Sequence, residues 1–169
     1  MEGIDIAVMA AIMDDDGQAP KIPGIRFIDH VAIAVNQGDL DNQVKAYEML
    51  GFRVVHREEV YGGDQVREAL LQIGDGPNLI QLLEPLSPES PVQKIVDKNS
   101  GRPGVAHIAF RVDSAQRAFD AMQNSGFRII DRAPRPGSRG TTVFFVHPKS
   151  RADNPFGTLF EIVEARESE

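Results

Sequence analysis

IDHVAIAV at residues 28–35 and VAHIAFRV at residues 105–112 are two versions of one short segment. Each version places a histidine, His30 in the first and His107 in the second, inside a run of apolar and β-branched residues. Such runs are typical of strands, and the histidine interrupts both at the same step. A strand that recurs with the same polar residue at the same position indicates that one structural unit has been duplicated.

The repeat continues beyond these strands. Each strand leads into a stretch with apolar residues three or four positions apart, which predicts a helix. A Gly-Phe-Arg ends both helices, at residues 51–53 and 126–128, and glycine suits the left-handed conformation that ends many helices. Three further strands are predicted in each half, at 54–56, 68–73 and 79–83 in the first and at 129–131, 142–146 and 159–163 in the second.

This pattern predicts an α+β fold in which two tandem βαβββ modules form one curved, mainly antiparallel sheet around a metal site. We expect a single domain over residues 25–169, with module one at 25–86 and module two at 103–165. The linker, 88–102, contains a short helix that Ser90 and Pro91 begin. Residues 1–24, rich in aspartate and helix-breaking residues, are predicted to be a partly disordered N-terminal extension.

Four polar residues occupy matching places in otherwise apolar strands. If a pseudo-twofold axis relates the modules, His30 becomes the mate of His107 and Gln81 the mate of Glu161. Burying these groups without partners would cost about 1–3 kcal/mol for each neutral group. One divalent cation would satisfy all four, because imidazole, amide and carboxylate ligands suit Co, Mn, Ni, Fe or Zn alike.

A single strand histidine is more often an ordinary hydrogen-bonded residue than a metal ligand. His56 and His147 have no histidine mate in the other half, so we interpret them in that way. His30 and His107 differ because each occupies the same step of a repeat and each is followed by Gln or Glu at the same later step.

Composition excludes several classes of function. The chain has no cysteine, which rules out disulfides, thiolate metal sites and a cysteine nucleophile. Its net charge of −7 argues against nonspecific binding to nucleic acid. The apolar run at residues 6–13 is too short to span a membrane and does not follow a basic stretch. We therefore expect a cytoplasmic protein that binds neither nucleic acid nor membranes.

Several segments together resemble the methylmalonyl-CoA epimerase family of the vicinal-oxygen-chelate superfamily, which has the glyoxalase fold. The resemblance covers residues from about 25 to 165. The segments that carry it are IDHVAIAV (28–35), QVREALL (65–71), IQLLEP (80–85), ESPV (89–92), GVAHIAF (104–110), FVHPK (145–149) and GTLFE (157–161).

The resemblance implies removal of a proton from the carbon between a thioester and a carboxylate of an acyl-CoA substrate. A divalent metal on the four ligands would bind substrate oxygens and stabilise the enolate. Glu68 stands where bacterial members have a catalytic glutamate, and Glu161 resembles a residue assigned both to the metal and to the opposite face. From the residues alone Glu68 stays ambiguous, because residues 69–71 hide which face of its strand it occupies. By analogy we expect a homodimer.

One basic segment stands out in an acidic chain. Residues 132–151 contain no acidic residue and include Arg135, Arg139 and Lys149. Because a carboxylate substrate on coenzyme A is anionic, we predict that these three side chains bind the substrate. A solvated basic loop is the alternative.

Two departures from the family pattern affect substrate preference. Ala106 stands where the family usually has a second histidine, and the loop at 150–156 is longer than usual. A related 2-substituted malonyl thioester, a glyoxalase-type isomerase or another metalloenzyme of the superfamily, and a non-catalytic small-molecule-binding protein of this fold stay open as alternatives.

Overall fold

The computed structural model describes residues 22–150 and 156–166 of the 169-residue chain. No helix in these ranges is long and apolar enough to cross a membrane. In chain order the elements are β1 (Ile25–Ala34), α1 (Leu40–Met49), β2 (Arg53–Val60), β3 (Val66–Gln72), β4 (Leu79–Pro85), α2 (Pro91–Lys98), β5 (Gly104–Val112), α3 (Ala115–Asn124), β6 (Arg135–Pro136), a 3₁₀ turn (Ser138–Gly140), β7 (Thr142–Val146) and β8 (Phe160–Glu164).

The strands form one eight-stranded sheet in the order β2-β3-β4-β1-β5-β8-β7-β6. Its centre is the antiparallel pair of β1 and β5, the two strands that carry the repeated histidines. β1 runs parallel to β4 and β5 runs parallel to β8, while the remaining neighbours are antiparallel. The predicted α+β fold with a mainly antiparallel sheet is confirmed, and the matched pairings on either side of the centre reflect the duplication.

The two faces of the sheet have different coverings. Leu40 and Val44 of α1 pack against Leu82 of β4 on the outer face, and α3 packs in the same manner against β7 and β8. Leu83, the next residue of β4, packs against Val92 of α2. Since successive strand residues point to opposite faces, α2 lies on the inner face.

Helix α2 begins where the sequence predicted. The Ser90 side chain accepts a hydrogen bond from the backbone N–H of Val92, 3.3 Å away, and Pro91 occupies the first turn. This helix lies between the two modules in the chain and covers part of the inner face, so it helps to form a wall of the cavity described below.

The strand predicted at residues 129–131 was wrong. Only Ile129 forms a bridge there, to Val146, and the regular pairing is the two-residue β6. The Asp131 carboxylate accepts a hydrogen bond from the backbone N–H of Phe145 at 2.6 Å, in place of a strand–strand bond. Pro134 has no N–H to donate, and regular pairing resumes only at Arg135.

The end of the predicted N-terminal extension contacts the domain. Ile22 packs against the core beneath α3, and the carbonyl of Gly24 accepts a hydrogen bond from the backbone N–H of Asp113 at 3.1 Å. The remainder of the predicted extension, residues 1–21, lies outside the described residues, as do residues 151–155 of the loop at 150–156. The division into modules at the predicted boundaries stays a prediction.

Candidate active site

Three of the four predicted metal ligands meet at the centre of the inner face. His30 Nε2 lies 3.1 Å from His107 Nε2, and Glu161 Oε2 lies 3.0 Å from each of these nitrogens. All three residues are buried, at 2%, 6% and 8% exposure. They come from β1, β5 and β8, which are neighbours in the sheet, so the strand pairing itself brings the three side chains together.

The pKa values of His30 and Glu161 are both shifted by their neighbours. Burial favours the neutral form of His30, but its bonds to Asp29 and Glu161 outweigh that effect and raise the pKa of His30 to about 9. Burial likewise acts to raise the pKa of Glu161, yet His107 and His30 together lower it to about 2. The cluster is therefore built to hold the Glu161 carboxylate in its charged form.

Asp29 orients His30 from the other side of the ring. Its Oδ1 lies 2.7 Å from His30 Nδ1, and it is fully buried. Ile28 pairs with Phe110 and His30 with Ala109, so Asp29 is the extra residue of a β-bulge. Successive side chains of a regular strand point to opposite faces, so the bulge explains how Asp29 and His30 contact each other. With Nδ1–H donating to Asp29, Nε2 is directed towards His107 and Glu161, where a bound cation would take the place of the Nε2 proton.

Two arginines complete this network. Arg111 Nε donates to Asp29 Oδ2 at 2.7 Å, and Arg139 Nη2 donates to Asp29 Oδ1 at 2.8 Å. Burial acts to raise the pKa of Asp29, but its bond to His30 and the charge of Arg139 lower the pKa well below the usual range. The sequence reasoning missed Asp29, although a charged residue in an otherwise apolar strand was a usable signal.

Gln81 and Glu68 lie beside the cluster on the same face. Gln81 Nε2 donates to Glu68 Oε2 at 2.8 Å. This bond turns Gln81 Oε1 away from Glu68, and among the described residues that oxygen is buried with no hydrogen-bond partner. Buried polar atoms without partners are rare, so a free amide oxygen in the cavity that His107 and Glu161 also line fits a divalent cation.

Glu68 is itself buried, at 2% exposure. Burial raises the pKa of Glu68, and this effect, with the smaller one of the negative charge of Glu58, outweighs the lowering by the Ser138 side chain. Its second carboxylate oxygen, Oε1, has no hydrogen-bond partner within the described part of the chain. A carboxylate in this setting accepts a proton more readily than one in water.

These groups open onto one cavity of about 290 Å³. Glu68 and Gln81 from module one and His107 and Glu161 from module two line it, with apolar side chains from the sheet and from α2. Because β3 and β8 are separated by three strands of the curved sheet, Glu68 and Glu161 belong to different walls.

Comparison with known proteins agrees with this architecture. The family model described as the Glyoxalase/Bleomycin resistance protein/Dioxygenase superfamily matches residues 29–145. The mitochondrial methylmalonyl-CoA epimerase of Dictyostelium discoideum is 31% identical over 150 residues, which cover 83% of this chain and 80% of that protein. The chain belongs to the methylmalonyl-CoA epimerase family.

Solved structures of this family superpose closely. The crystal structure of methylmalonyl-CoA epimerase from Mycobacterium tuberculosis has a TM-score of 0.77 and 32% identity, covering 88% of this chain and 93% of that one. A variant of Streptomyces coelicolor methylmalonyl-CoA epimerase in complex with 2-nitronate-propionyl-CoA has a TM-score of 0.75 and 37% identity, covering 86% and 98%. The ligand in that complex is an acyl-CoA analogue.

The three basic residues predicted to bind substrate lie in different places. Arg135 lines the cavity, where its guanidinium stacks 5.5 Å from the Phe145 ring centre and Nε donates to Asp131 at 2.9 Å. Arg139 points instead to Asp29. Lys149 is exposed and is not among the described residues that line the cavity.

Proposed function

We propose that this chain is a metal-dependent methylmalonyl-CoA epimerase that inverts C2 of methylmalonyl-CoA or a related 2-substituted malonyl thioester. One observation carries the proposal: a buried glutamate with an unpartnered oxygen, Glu68, shares a cavity with His107 and Glu161 of the cluster. The family of the chain makes this arrangement an isomerase site, since the relatives and structural neighbours are epimerases.

His30, Gln81, His107 and Glu161 would hold one divalent cation. Their donors are two imidazole nitrogens, an amide oxygen and a carboxylate oxygen, a mixed set that Co, Mn, Ni, Fe and Zn accept. When bound, such a cation supplies Lewis-acid stabilisation, roughly several kcal/mol, of negative charge that develops on substrate oxygens. The unpartnered Gln81 amide oxygen supports this assignment.

Glu68 is the proposed base. Its carboxylate accepts the C2 proton, and the electron pair of the broken C–H bond delocalises onto the thioester carbonyl to give an enolate. Gln81 holds one carboxylate oxygen of Glu68 at 2.8 Å, so the other is left to face the substrate. The raised pKa that burial gives Glu68 strengthens it as a base near neutral pH.

Inversion requires a proton from the opposite face of the planar enolate. Glu161 is the second group that the sequence predicts, and it lies in the wall contributed by module two. Because His107 and His30 lower the pKa of Glu161 to about 2, its position supports the proposed role as a cation ligand, and proton return by Glu161 stays a prediction without support from its electrostatics. The apolar lining near Val66 and Leu83 excludes water and lowers the local dielectric, which strengthens each of these interactions.

Arg135 is the predicted substrate-binding residue whose position best supports that role. Its guanidinium lines the cavity and would attract the substrate carboxylate. A cavity of about 290 Å³ suits the acyl group, with the coenzyme extending outside it. Substrate binding by Arg139 and Lys149 stays a prediction without support from their positions.

A homodimer, a cytoplasmic location and the identity of the cation are also parts of the proposal that need their own measurements. Light scattering at several protein concentrations gives the oligomeric state. Elemental analysis of protein purified without chelator gives the cation and its stoichiometry, with one ion per chain expected at the His30 and His107 cluster.

The proposal is tested by solvent exchange. In D₂O the wild type should incorporate deuterium at C2 of methylmalonyl-CoA, which mass spectrometry detects. Glu68→Gln keeps the shape and the neighbours of Glu68 but cannot accept the proton, so exchange should fall at least about 100-fold while metal content is unchanged. Full exchange by Glu68→Gln would mean that the base is elsewhere, and turnover of a hemithioacetal instead of methylmalonyl-CoA would point to a glyoxalase.

A further inference from the structure

A second cluster of ligating groups lies on the inner face of edge strand β2. Val54 packs against the outer core beneath α1 and pairs with Leu71, whereas His56 pairs with Leu70. Val55 is therefore the extra residue of a β-bulge, and the bulge turns His56 to the inner face. Arg57, the next residue, bonds to Asp41 of α1 and so points to the outer face. Since successive strand residues point to opposite faces, this agrees with His56 on the inner face.

The same register sets two carboxylates against each other. Glu58 of β2 lies directly opposite Glu68 of β3, and like charges in that position destabilise a strand pair. Glu58 Oε2 is partly compensated by His56 Nε2 at 2.9 Å and by the backbone N–H of Arg139 at 3.0 Å. Glu68 is 2% exposed, and its Oε1 lacks a hydrogen-bond partner in the described ranges.

One ligand atom each from His56, Glu58 and Glu68 lies within 4.8 Å of the other two. Ligands at about 2.1 Å from a tetrahedral cation are about 3.4 Å apart. His56 Nε2 and Glu58 Oε2, at 2.9 Å, would open by about 0.5 Å, and a pair at the 4.8 Å limit would close by about 1.4 Å. His56 and Glu58 are only half-buried, which gives a cation access from solvent. One nitrogen and two carboxylate oxygens form a donor set that suits Zn²⁺, with water completing the coordination.

We propose that His56, Glu58 and Glu68 form a second divalent-cation site, distinct from the one at His30 and His107, and that a cation bound there inhibits the enzyme. Binding at this site satisfies the free oxygen of Glu68 and relieves its repulsion with Glu58. The inhibition rests on the proposed function, because a Glu68 carboxylate that ligates a cation cannot accept the substrate proton. The binding itself does not depend on that function.

The experiment counts Zn²⁺ ions. Full-length protein freed of metal is titrated with Zn²⁺ by calorimetry, and wild type should take up one equivalent tightly and a second more weakly. His56→Asn should weaken the second equivalent at least about 100-fold, because a lost ligand costs no less than a lost supporting contact. His147→Asn is the matched control and should keep both equivalents. Glu58→Gln, which should also lose the second ion, serves if His56→Asn does not fold.

Inhibition is measured separately, as loss of C2 deuterium exchange when Zn²⁺ exceeds one equivalent. His56→Asn should need at least about 100-fold more Zn²⁺ for the same fractional loss. A wild type that binds a single Zn²⁺ at millimolar concentration, or a His56→Asn that binds two as tightly as wild type, overturns the second site. Two bound Zn²⁺ ions in a protein without epimerase activity would overturn the proposed function and leave the second site standing.

Discussion

Replacing Asp29 by asparagine tests how the site is organised. The substitution preserves the shape of the side chain but removes the charge that accepts hydrogen bonds from His30, Arg111 and Arg139. An asparagine has one acceptor oxygen, and its NH₂ group would face N–H groups of His30, Arg111 or Arg139. Two donors cannot form a hydrogen bond with each other. His30 would then lose the partner that fixes its tautomer and ring orientation.

The expected magnitudes follow from burial. Asp29 is fully buried, while the side chains of Arg111 and Arg139 are 26% and 19% exposed. Removing one partner from a fully buried pair costs about 3–5 kcal/mol, and partial solvation of the arginines lowers our expectation to about 2–4 kcal/mol of unfolding free energy. Metal affinity should fall about 10- to 100-fold, which is about 1.4–2.8 kcal/mol.

Asp113→Asn is the matched control. Asp113 also pairs with an arginine, Arg26, but both side chains are about half-exposed, at 47% and 61%. Because an ion pair in contact with solvent contributes little, this change should leave both stability and metal affinity close to those of the wild type. Stability is measured by denaturant unfolding followed by circular dichroism, and metal affinity by competition with a chromophoric chelator. If Asp29→Asn loses stability but binds metal as tightly as wild type, Asp29 has no role in orienting His30.

Arg135→Gln should raise the KM for methylmalonyl-CoA about tenfold or more, the equivalent of one charge-assisted hydrogen bond, without changing metal content; an unchanged KM would exclude a contact with substrate. Gln81→Leu should weaken metal binding and reduce exchange, whereas equal metal affinity would show that the amide is not a ligand. Gly137→Ala would bring a Cβ within 2.7 Å of Val143 Cγ1 and should destabilise the fold by about 1–3 kcal/mol in thermal unfolding. A Cβ added at Gly63 would meet no atom within 4 Å, so Gly63→Ala should be tolerated. Equal losses of stability in Gly137→Ala and Gly63→Ala would refute the packing argument.

The cluster of His30, His107 and Glu161 was accessible from sequence because duplication fixes register. When the two modules pair through β1 and β5, residues at equivalent positions of the two strands come to lie close to the same axis. His30 and His107 occupy such positions, so the pairing brings them together. The fold class followed from the same repeat.

The face occupied by Glu68 could not be read from the sequence. Val66 lies with α2 on one side of β3, and Leu71 lies with α1 on the other. Both faces of the strand are therefore buried, and apolar residues appear at odd and even positions alike. Alternation identifies a face only when the other face is exposed to water.

The positions of Asp29 and His56 were hidden for a different reason. Each depends on a β-bulge, at Asp29 itself and at Val55. A bulge adds one residue and so shifts the two-residue period on which strand predictions rest. The bond between Arg139 and Asp29 was also hidden, because 110 residues separate the two in the chain and local patterns carry no information at that separation.

The duplication explains why His30, His107 and Glu161 meet, but the proposed chemistry requires that the modules differ. β2 is a full strand of eight residues, whereas its counterpart in module two is reduced to one bridge and the two-residue β6. The chain freed from that lost strand reaches across the inner face, where the backbone of Arg139 bonds to Glu58 and Arg135 pairs with Asp64. One wall therefore carries the buried Glu68, and the other carries a bridging loop with the guanidinium of Arg135. A symmetric site would present the same group to both faces of a substrate, whereas this asymmetric one would place the proposed base, Glu68, on one face and the proposed carboxylate-binding Arg135 beside it.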